Sequence, residues 1–272
     1  MCKTFLKVLL SFLLLYSAIS CKSDCEFSSI KKMRSFINRE KYIIHACGVI
    51  QGGDGEYYSY TNSKEALVNC YSKGNKISEV DFLLSSDNYL VCTHGWDLMY
   101  KNGIKQDNKA MTKEEFLNCK TNGGFTSMWL GDLIDFLQEH PDFYFVTDIK
   151  DENVKACGIL NSYIPPEYKD HFIIQIYHES EYDEIYSMGF NYIIYTLYST
   201  FPEERQVGRL LSFAKEHKLL AFTYWANWTG LYLNEFLETG IPSYVHTVND
   251  VTQRIEYFNV GIDAIYTDIV DN

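Results

Sequence analysis

From Tyr42 onward, short β-rich runs and stretches of helical periodicity take turns until the chain ends, and few architectures accept that order. Strands are expected at 42–45, 77–83, 143–149, 172–177, 192–197, 219–224, 244–248 and 264–267, each rich in aromatic and β-branched residues. Between them, Ala66, Leu67, Cys70 and Tyr71 recur at helical spacing in 63–72. Helices are also expected at 132–140, stopped by Pro141, and at 181–188, stopped by Gly189. Further ones are expected at 202–217, at 231–238 before Gly240, and at 250–258. Eight strand and helix units in series imply an α/β fold of the (β/α)8 TIM-barrel class, with a doubly wound sheet as the alternative. The one irregular interval, 95–130 between the second and third strands, reads as a small insertion over the barrel mouth. Its Thr112-Lys113-Glu114-Glu115 is a capping box on a short helix.

The first twenty residues stand apart. Lys3 and Lys7 precede an apolar run from Val8 to Tyr16, and Ser17-Ala18-Ile19-Ser20 supplies small residues for cleavage. The run is shorter than the roughly 20 residues a bilayer requires, so 1–20 reads as an export signal, 21–41 as an N-terminal tether or helix, and 42–272 as the barrel. Cys21 after Ala-Ile-Ser resembles a lipoprotein box, and the expected location is secreted or held at the cell surface or periplasm through lipidated Cys21. Losing Lys3 and Lys7 would take the net charge from −12 to −14. That acidity, without any Lys/Arg run, argues against nucleic acid as a partner. Cys25, Cys47, Cys70, Cys92, Cys119 and Cys157 then remain, able to pair in fifteen ways or to serve as small buried apolar residues. Asn227-Trp228-Thr229 is a glycosylation sequon where the source supports one. Trp96, Phe125 and Trp129 in the insertion suit either a bilayer contact or packing on the barrel rim.

In a TIM barrel the C-terminal strand ends converge on one pocket, and here they are consistently polar. The first strand ends in His45. The second carries Glu79-Val80-Asp81, whose carboxylates share a face because side chains alternate along a strand. A turn at Ser85-Ser86-Asp87-Asn88 returns the chain to His94, and the third strand ends in Asp148-Ile149-Lys150. Clustered inward carboxylates repel one another, which a divalent cation relieves. Glu79, Asp81 and Asp148 form an all-oxygen set suited to Mg²⁺ or Ca²⁺. Lys150 would face an anionic group, and His45 and His94 are candidates for general acid and base. Singly, an ExD pair or a terminal histidine is more often structural; five together on three successive units point to a site.

At these residues the chain resembles the glycerophosphodiester phosphodiesterase family, within the PLC-like phosphodiesterases. The resemblance runs from Tyr42 to Asp268 and rests on the order of His45-Ala46-Cys47-Gly48, Tyr60-Thr61-Asn62-Ser63-Lys64-Glu65-Ala66, Glu79-Val80-Asp81, His94 and Thr147-Asp148-Ile149-Lys150. Tyr244-Val245-His246-Thr247-Val248-Asn249 and Gly261-Ile262-Asp263-Ala264-Ile265-Tyr266-Thr267-Asp268 complete it. It implies His45 and His94 as the acid/base pair, Glu79, Asp81 and Asp148 as metal ligands, and Lys150 on phosphate. It also implies attack on phosphorus by a neighbouring hydroxyl through a cyclic phosphate. Three departures stand out: Ala46 in place of the usual Arg, Thr61 in place of Glu, and Asp148 in place of Glu. The Asp148-x-Lys150 pattern is similar to sphingomyelinase D-type enzymes. His246 replaces a customary Trp and is a candidate for lining the pocket or for the core.

The expected activity is an exported, metal-dependent phosphodiesterase on glycerophosphodiesters or phospholipid headgroup esters. A phospholipase D-like lyase forming cyclic phosphate and a non-catalytic ligand-binding surface lipoprotein are the alternatives.

Overall fold

The computed structural model of the protein describes residues 28–149 and 151–270. The readings for the export signal, Cys21, Cys25 and Lys150 therefore fall outside the described residues. Eight strands form the barrel wall: β1 (Tyr42–Ile44), β2 (Ile77–Leu84), β3 (Tyr144–Ile149), β4 (Phe172–Ile176), β5 (Ile193–Thr196), β6 (Ala221–Trp225), β7 (Ser243–His246) and β8 (Ala264–Thr267). Each pairs in parallel with its neighbour, and β8 returns to β1 through Tyr42 opposite Ile265. Ile44 opposite Ser78 joins β1 to β2 and closes the ring, giving the TIM barrel that the alternation implies.

Seven helices follow strands around this wall: α2 (Lys64–Ser72), α3 (Leu130–Glu139), α4 (Asn153–Tyr163), α5 (Tyr182–Ser187), α6 (Val207–Glu216), α7 (Thr229–Thr239) and α8 (Val251–Val260). Alternation along each strand divides the apolar residues between two cores. Ile44, Val80, Phe82, Phe145, Ile174, Phe222 and Val245 point outward to the helices. Ile43, Ile77, Val146, Ile173, Ile194, Ala221, Tyr244 and Ala264 fill the barrel interior. Helix α1, residues 28–40, joins that inner core with Ile30, Met33 and Ile37, spaced so that all three share one face. Arg34 fixes the helix there by donating to the carbonyls of Leu219 and Leu220 at 2.7 and 3.0 Å. Burying such side chains contributes roughly 1.5–3 kcal/mol each, and the helix leaves the other end of the barrel as the open one.

Helix α4 was not legible. Asn153, Gly158, Asn161 and Ser162 are poor helix formers, and the segment is held by the burial of Ala156, Cys157 and Leu160. Helix α6 begins at Val207, five residues later than the 202–217 pattern, because the chain first turns to bury Glu204.

After β2 a hairpin pairs Phe82 with Cys92 and Leu84 with Leu90. The chain then builds a small three-stranded sheet from Met99–Lys101, Ile104–Lys105 and Lys120–Thr121. The helix Lys113–Leu117 carries the expected capping box, with Thr112 and Glu115 bonded reciprocally. Val91, Trp96, Met99, Phe116 and Cys119 give this segment its own apolar cluster. Trp96 and Phe125 are buried and Trp129 is half-buried against that cluster, so these rings pack on the protein itself. Cys47, Cys70, Cys92, Cys119 and Cys157 carry free thiols and are all buried, which is the small-apolar role. Among the described residues no helix is long and apolar enough to cross a membrane.

Gly48, just past β1, has φ +88°, and a Cβ there would sit 2.3 Å from Val270 Cγ1 and 2.9 Å from Ile44 Cγ2. Left-handed strain and overpacking together should make Gly48→Ala cost roughly 2–4 kcal/mol, read as a lower urea midpoint with an unchanged m-value. A midpoint equal to wild type would show that the turn relaxes freely.

Candidate active site

Beyond Ile44 the chain turns through three consecutive left-handed residues, Ala46, Cys47 and Gly48. The turn aims the Ala46 N–H at Glu79, which accepts it at 2.8 Å through Oε2. Two non-glycine residues in that region are strained, as is common where a loop must present a group. The same turn holds the His45 imidazole inside the mouth, buried, with Nδ1 2.7 Å from Asp268 Oδ1 and Nε2 3.8 Å from Glu79 Oε2. Asp268, one residue past β8, is itself fixed by Asn249, whose side-chain amide donates to its Oδ2 at 2.6 Å. Asn249 Oδ1 in turn accepts from the Asp268 backbone N–H at 2.8 Å.

Glu79 and Asp81 both face inward from β2, and Asp148 lies opposite Asp81 in the register with β3. Each of the three offers an oxygen, and these atoms all lie within 4.8 Å of one another in buried positions. Surrounding groups orient them. Asn62, in a left-handed conformation at φ 44°, donates to Asp81 Oδ2 at 2.9 Å and accepts from the Asp81 backbone N–H at 3.1 Å. Asp148 accepts from two phenols: Tyr177 bonds Oδ1, and Tyr198 bonds Oδ2 at 3.0 Å.

The hairpin brings His94 back as the sequence implies. Thr93 donates its N–H to the Asp81 carbonyl at 3.0 Å, which sets the next residue at the rim. His94 is exposed, unlike His45. Tyr60 stands between the two imidazoles, its ring centroid 4.6 Å from that of His45 and 5.3 Å from that of His94. His246, at the end of β7, lines the same cleft and stacks on Trp225. Thus His45, Glu79, Asp81, Asp148, His94 and His246 gather at the C-terminal end of the barrel, around one cleft. Asp268, Asn249, Asn62, Tyr60, Tyr177, Tyr198 and Trp225 join them without having been singled out as site residues. Tyr60, Asn62, Asn249 and Asp268 do lie within the motifs that carry the resemblance.

Electrostatics follow from burial and from like charges. Burial, then the neighbouring Asp81 and Asp148 carboxylates, push Glu79 well above the usual carboxylate range, against the opposing pull of His45 and the Ala46 N–H. Burial alone would lower His45, but the Asp268 hydrogen bond and the charges of Glu79, Asp81 and Asp268 outweigh it and raise it to about 9. Asp268 is held low: burial opposes its ionisation, and the bonds to His45 and Asn249 more than compensate. Burial and the Asp148 charge raise the Tyr177 and Tyr198 phenols, so both remain neutral donors.

The acid cluster suits a cation on its own chemistry. Glu79 Oε1 is buried and accepts no hydrogen bond among the described residues. Three carboxylates this close are costly without compensating positive charge. An all-oxygen donor set matches Mg²⁺ or Ca²⁺.

No protein-family profile matches the chain, and no curated protein sequence matches it. Solved structures do. The glycerophosphodiester phosphodiesterase of Thermotoga maritima superposes with a TM-score of 0.63 at 18% identity, over 85% of this chain and 95% of that one. A glycerophosphodiester phosphodiesterase from Parabacteroides distasonis gives 0.64 at 18% identity, over 84% and 93%. An Oleispira antarctica phosphodiesterase bound to its product sn-glycerol-3-phosphate gives 0.63 at 13% identity, over 84% and 92%. At these identities the likeness is one of fold: this chain has the barrel that those phosphodiesterases use.

Proposed function

We propose that the protein is an exported, divalent-cation-dependent phosphodiesterase that hydrolyses glycerophosphodiesters or phospholipid headgroup esters. The observation that carries this reading is the buried Glu79, Asp81 and Asp148 cluster between two histidines at the open end of the barrel. Those three residues would hold Mg²⁺ or Ca²⁺, and the bound ion would offset the negative charge that grows on the phosphoryl oxygens.

The rest falls to side chains. With Nδ1–H donated to Asp268, His45 has Nε2 left to exchange a proton with the substrate. His94, across Tyr60 on the exposed rim, is the complementary group, nearer to where a leaving alcohol escapes. Lys150 is proposed to contact phosphate. The backbone N–H of Ala46 is committed to Glu79, so position 46 gives the phosphate no donor.

Asp148 in place of the longer glutamate keeps a second reading open, a lyase that stops at the cyclic phosphate formed by a neighbouring hydroxyl. Phosphorus NMR of glycerophosphocholine incubated with the protein and Mg²⁺ or Ca²⁺ tests both readings. Hydrolysis should give an acyclic monoester, and a cyclising lyase a persistent cyclic ester. Turnover that survives both EDTA and His45→Ala would overturn the mechanism. Binding without turnover over hours would leave only the ligand-binding lipoprotein. Export through 1–20, with lipidation at Cys21, predicts a mature chain whose intact mass begins at Cys21 and includes acyl groups. A mass that retains residues 1–20 would contradict export.

A further inference from the structure

We infer that Tyr60 is a positioning residue of the site: its ring holds the His94 imidazole where a leaving alcohol collects its proton. The inference rests on the phosphodiesterase reading above and adds a member to its acid/base machinery.

His45 and His94 are held in different ways. Asp268 fixes the His45 ring at 2.7 Å. His94 has its backbone tied, since the Thr93 N–H donates to the Asp81 carbonyl at 3.0 Å and the Thr93 hydroxyl donates to the Gly95 carbonyl at 2.9 Å. Its imidazole is exposed, and among the described residues no hydrogen bond or ion pair orients it. The ring packed on it is Tyr60, edge-on at 83° with centroids 5.3 Å apart. Tyr60 meets His45 in the same way, at 88° and 4.6 Å. Edge-on ring contacts at this spacing are attractive and directional, so one phenol ring sets where the loosely held imidazole lies relative to the fixed one.

The backbone of Tyr60 is fixed from outside. It is left-handed at φ 56°, a conformation that bulky residues rarely adopt, and Asn62 two positions on is left-handed at φ 44°. Asn62 is bonded to Asp81 through both ends of its amide. Buried Thr61 meets Ser63 hydroxyl to hydroxyl at 3.0 Å, and Ser63 caps α2 by accepting the Ala66 N–H at 3.2 Å. The segment is thus anchored to β2 on one side and to α2 on the other. The Tyr60 ring itself gains little from burial, being 38% exposed. Strain of this kind persists where the surroundings over-determine it, and it concentrates at functional sites. As the P–O bond to the alcohol breaks, the alcohol oxygen keeps the electron pair and takes the His94 proton, while His45 receives the proton of the attacking hydroxyl. An exposed histidine free to change rotamer seldom presents its proton in line, and a misplacement of about 1 Å costs on the order of a hundredfold.

Two substitutions with the full chain in Mg²⁺ test this: Tyr60→Leu removes the ring, and Tyr60→Phe keeps it. Tyr60→Leu should lower kcat on glycerophosphocholine by about 30-fold with KM changed less than about twofold, while Tyr60→Phe should stay within about threefold of wild type. The p-nitrophenyl ester of glycerol 3-phosphate, whose leaving group departs without a proton, should be cleaved by Tyr60→Leu within about threefold of the wild-type rate. In a His94→Ala background Tyr60→Leu should have almost no further effect, because the two residues act as one. A kcat on glycerophosphocholine that Tyr60→Leu leaves within about threefold of wild type overturns the inference. So do equal losses on both esters, or a full Tyr60→Leu loss added to that of His94→Ala. NMR of histidine-labelled protein reads the contact without turnover. The His94 ring C–H signals, assigned by their absence in His94→Ala, should be displaced by the Tyr60 ring current and should return toward the free-histidine position in Tyr60→Leu. If no diester is turned over, the proposed reaction falls and these signals decide the placement of His94: their return in Tyr60→Leu upholds it, and signals that do not move overturn it.

Discussion

Glu79→Gln is expected to move activity and stability in opposite directions. Without the Glu79 charge the cation is held weakly, and kcat/KM on glycerophosphocholine should drop by about 10³ or more. The cation-free variant, however, should melt above the cation-free wild type at pH 8. Glu79 is fully buried beside Asp81 and Asp148 and its ionised form is disfavoured. A neutral amide of the same shape can still accept the Ala46 N–H and ends the repulsion. Relief on the order of 1–3 kcal/mol, at about 2–4 °C per kcal/mol for a chain of this size, is readily measured by calorimetry.

The pH dependence has a definite sign. Glu79 and His45 both titrate above their ordinary values in the fold, His45 moving from 6.5 to about 9. The folded state therefore binds protons that the unfolded state has already released, and stability falls as pH rises. The His45 contribution is fully present below pH 6.5 and disappears through about pH 9, while that of Glu79 declines from the usual carboxylate range upward. Cation-free wild type should lose melting temperature steadily across this window. Saturating Mg²⁺ should flatten the curve, and Glu79→Gln without cation should lie between the two. A melting temperature that rises with pH in EDTA contradicts the buried acid cluster.

Asp268→Asn should be the second large effect, a fall in kcat of roughly 10²–10⁴. The carboxylate now fixes the Nδ1–H tautomer of His45 and supports its positive charge at 2.7 Å. An amide at this position can present an N–H to Nδ1 instead, which puts the imidazole proton on the wrong nitrogen. The limb of the pH–rate profile governed by His45 should also move to lower pH, because one of the groups that raise it is gone. KM should change little, since Asp268 reaches the substrate only through His45. A kcat within threefold of wild type would remove the histidine–aspartate pair from the mechanism.

How much of this was legible depended on sequence separation. Glu79 with Asp81, and the position of Asp148, follow from alternation within single strands, a local rule. His94 was legible because Ser85 and Asn88 make a tight turn, with Asn88 left-handed at φ 61°. The eight-strand order was legible because each run carries its own apolar pattern. By contrast, the His45–Asp268 bond spans 223 positions and forms only when the ring closes, so the sequence order alone assigned Asp268 no role. Tyr177 and Tyr198 are two of 22 tyrosines, and only the loops after β4 and β5 turn their hydroxyls onto Asp148. Trp225 follows Phe222-Thr223-Tyr224, an aromatic run that reads as core until the register of β6 decides which side faces in. Where propensity conflicted with packing, as at Gly158 in α4, packing won.

The catalytic expectations assume that Glu79, Asp81 and Asp148 jointly hold a divalent cation. The most direct measurement is calorimetric titration of Mg²⁺ and Ca²⁺ into EDTA-stripped wild type and Glu79→Gln, with diesterase activity followed in the same samples. One cation per chain should bind wild type, with activity returning in step, and Glu79→Gln should bind at least a hundredfold more weakly. Equal binding in both proteins, or full activity in the stripped wild type, would contradict the account.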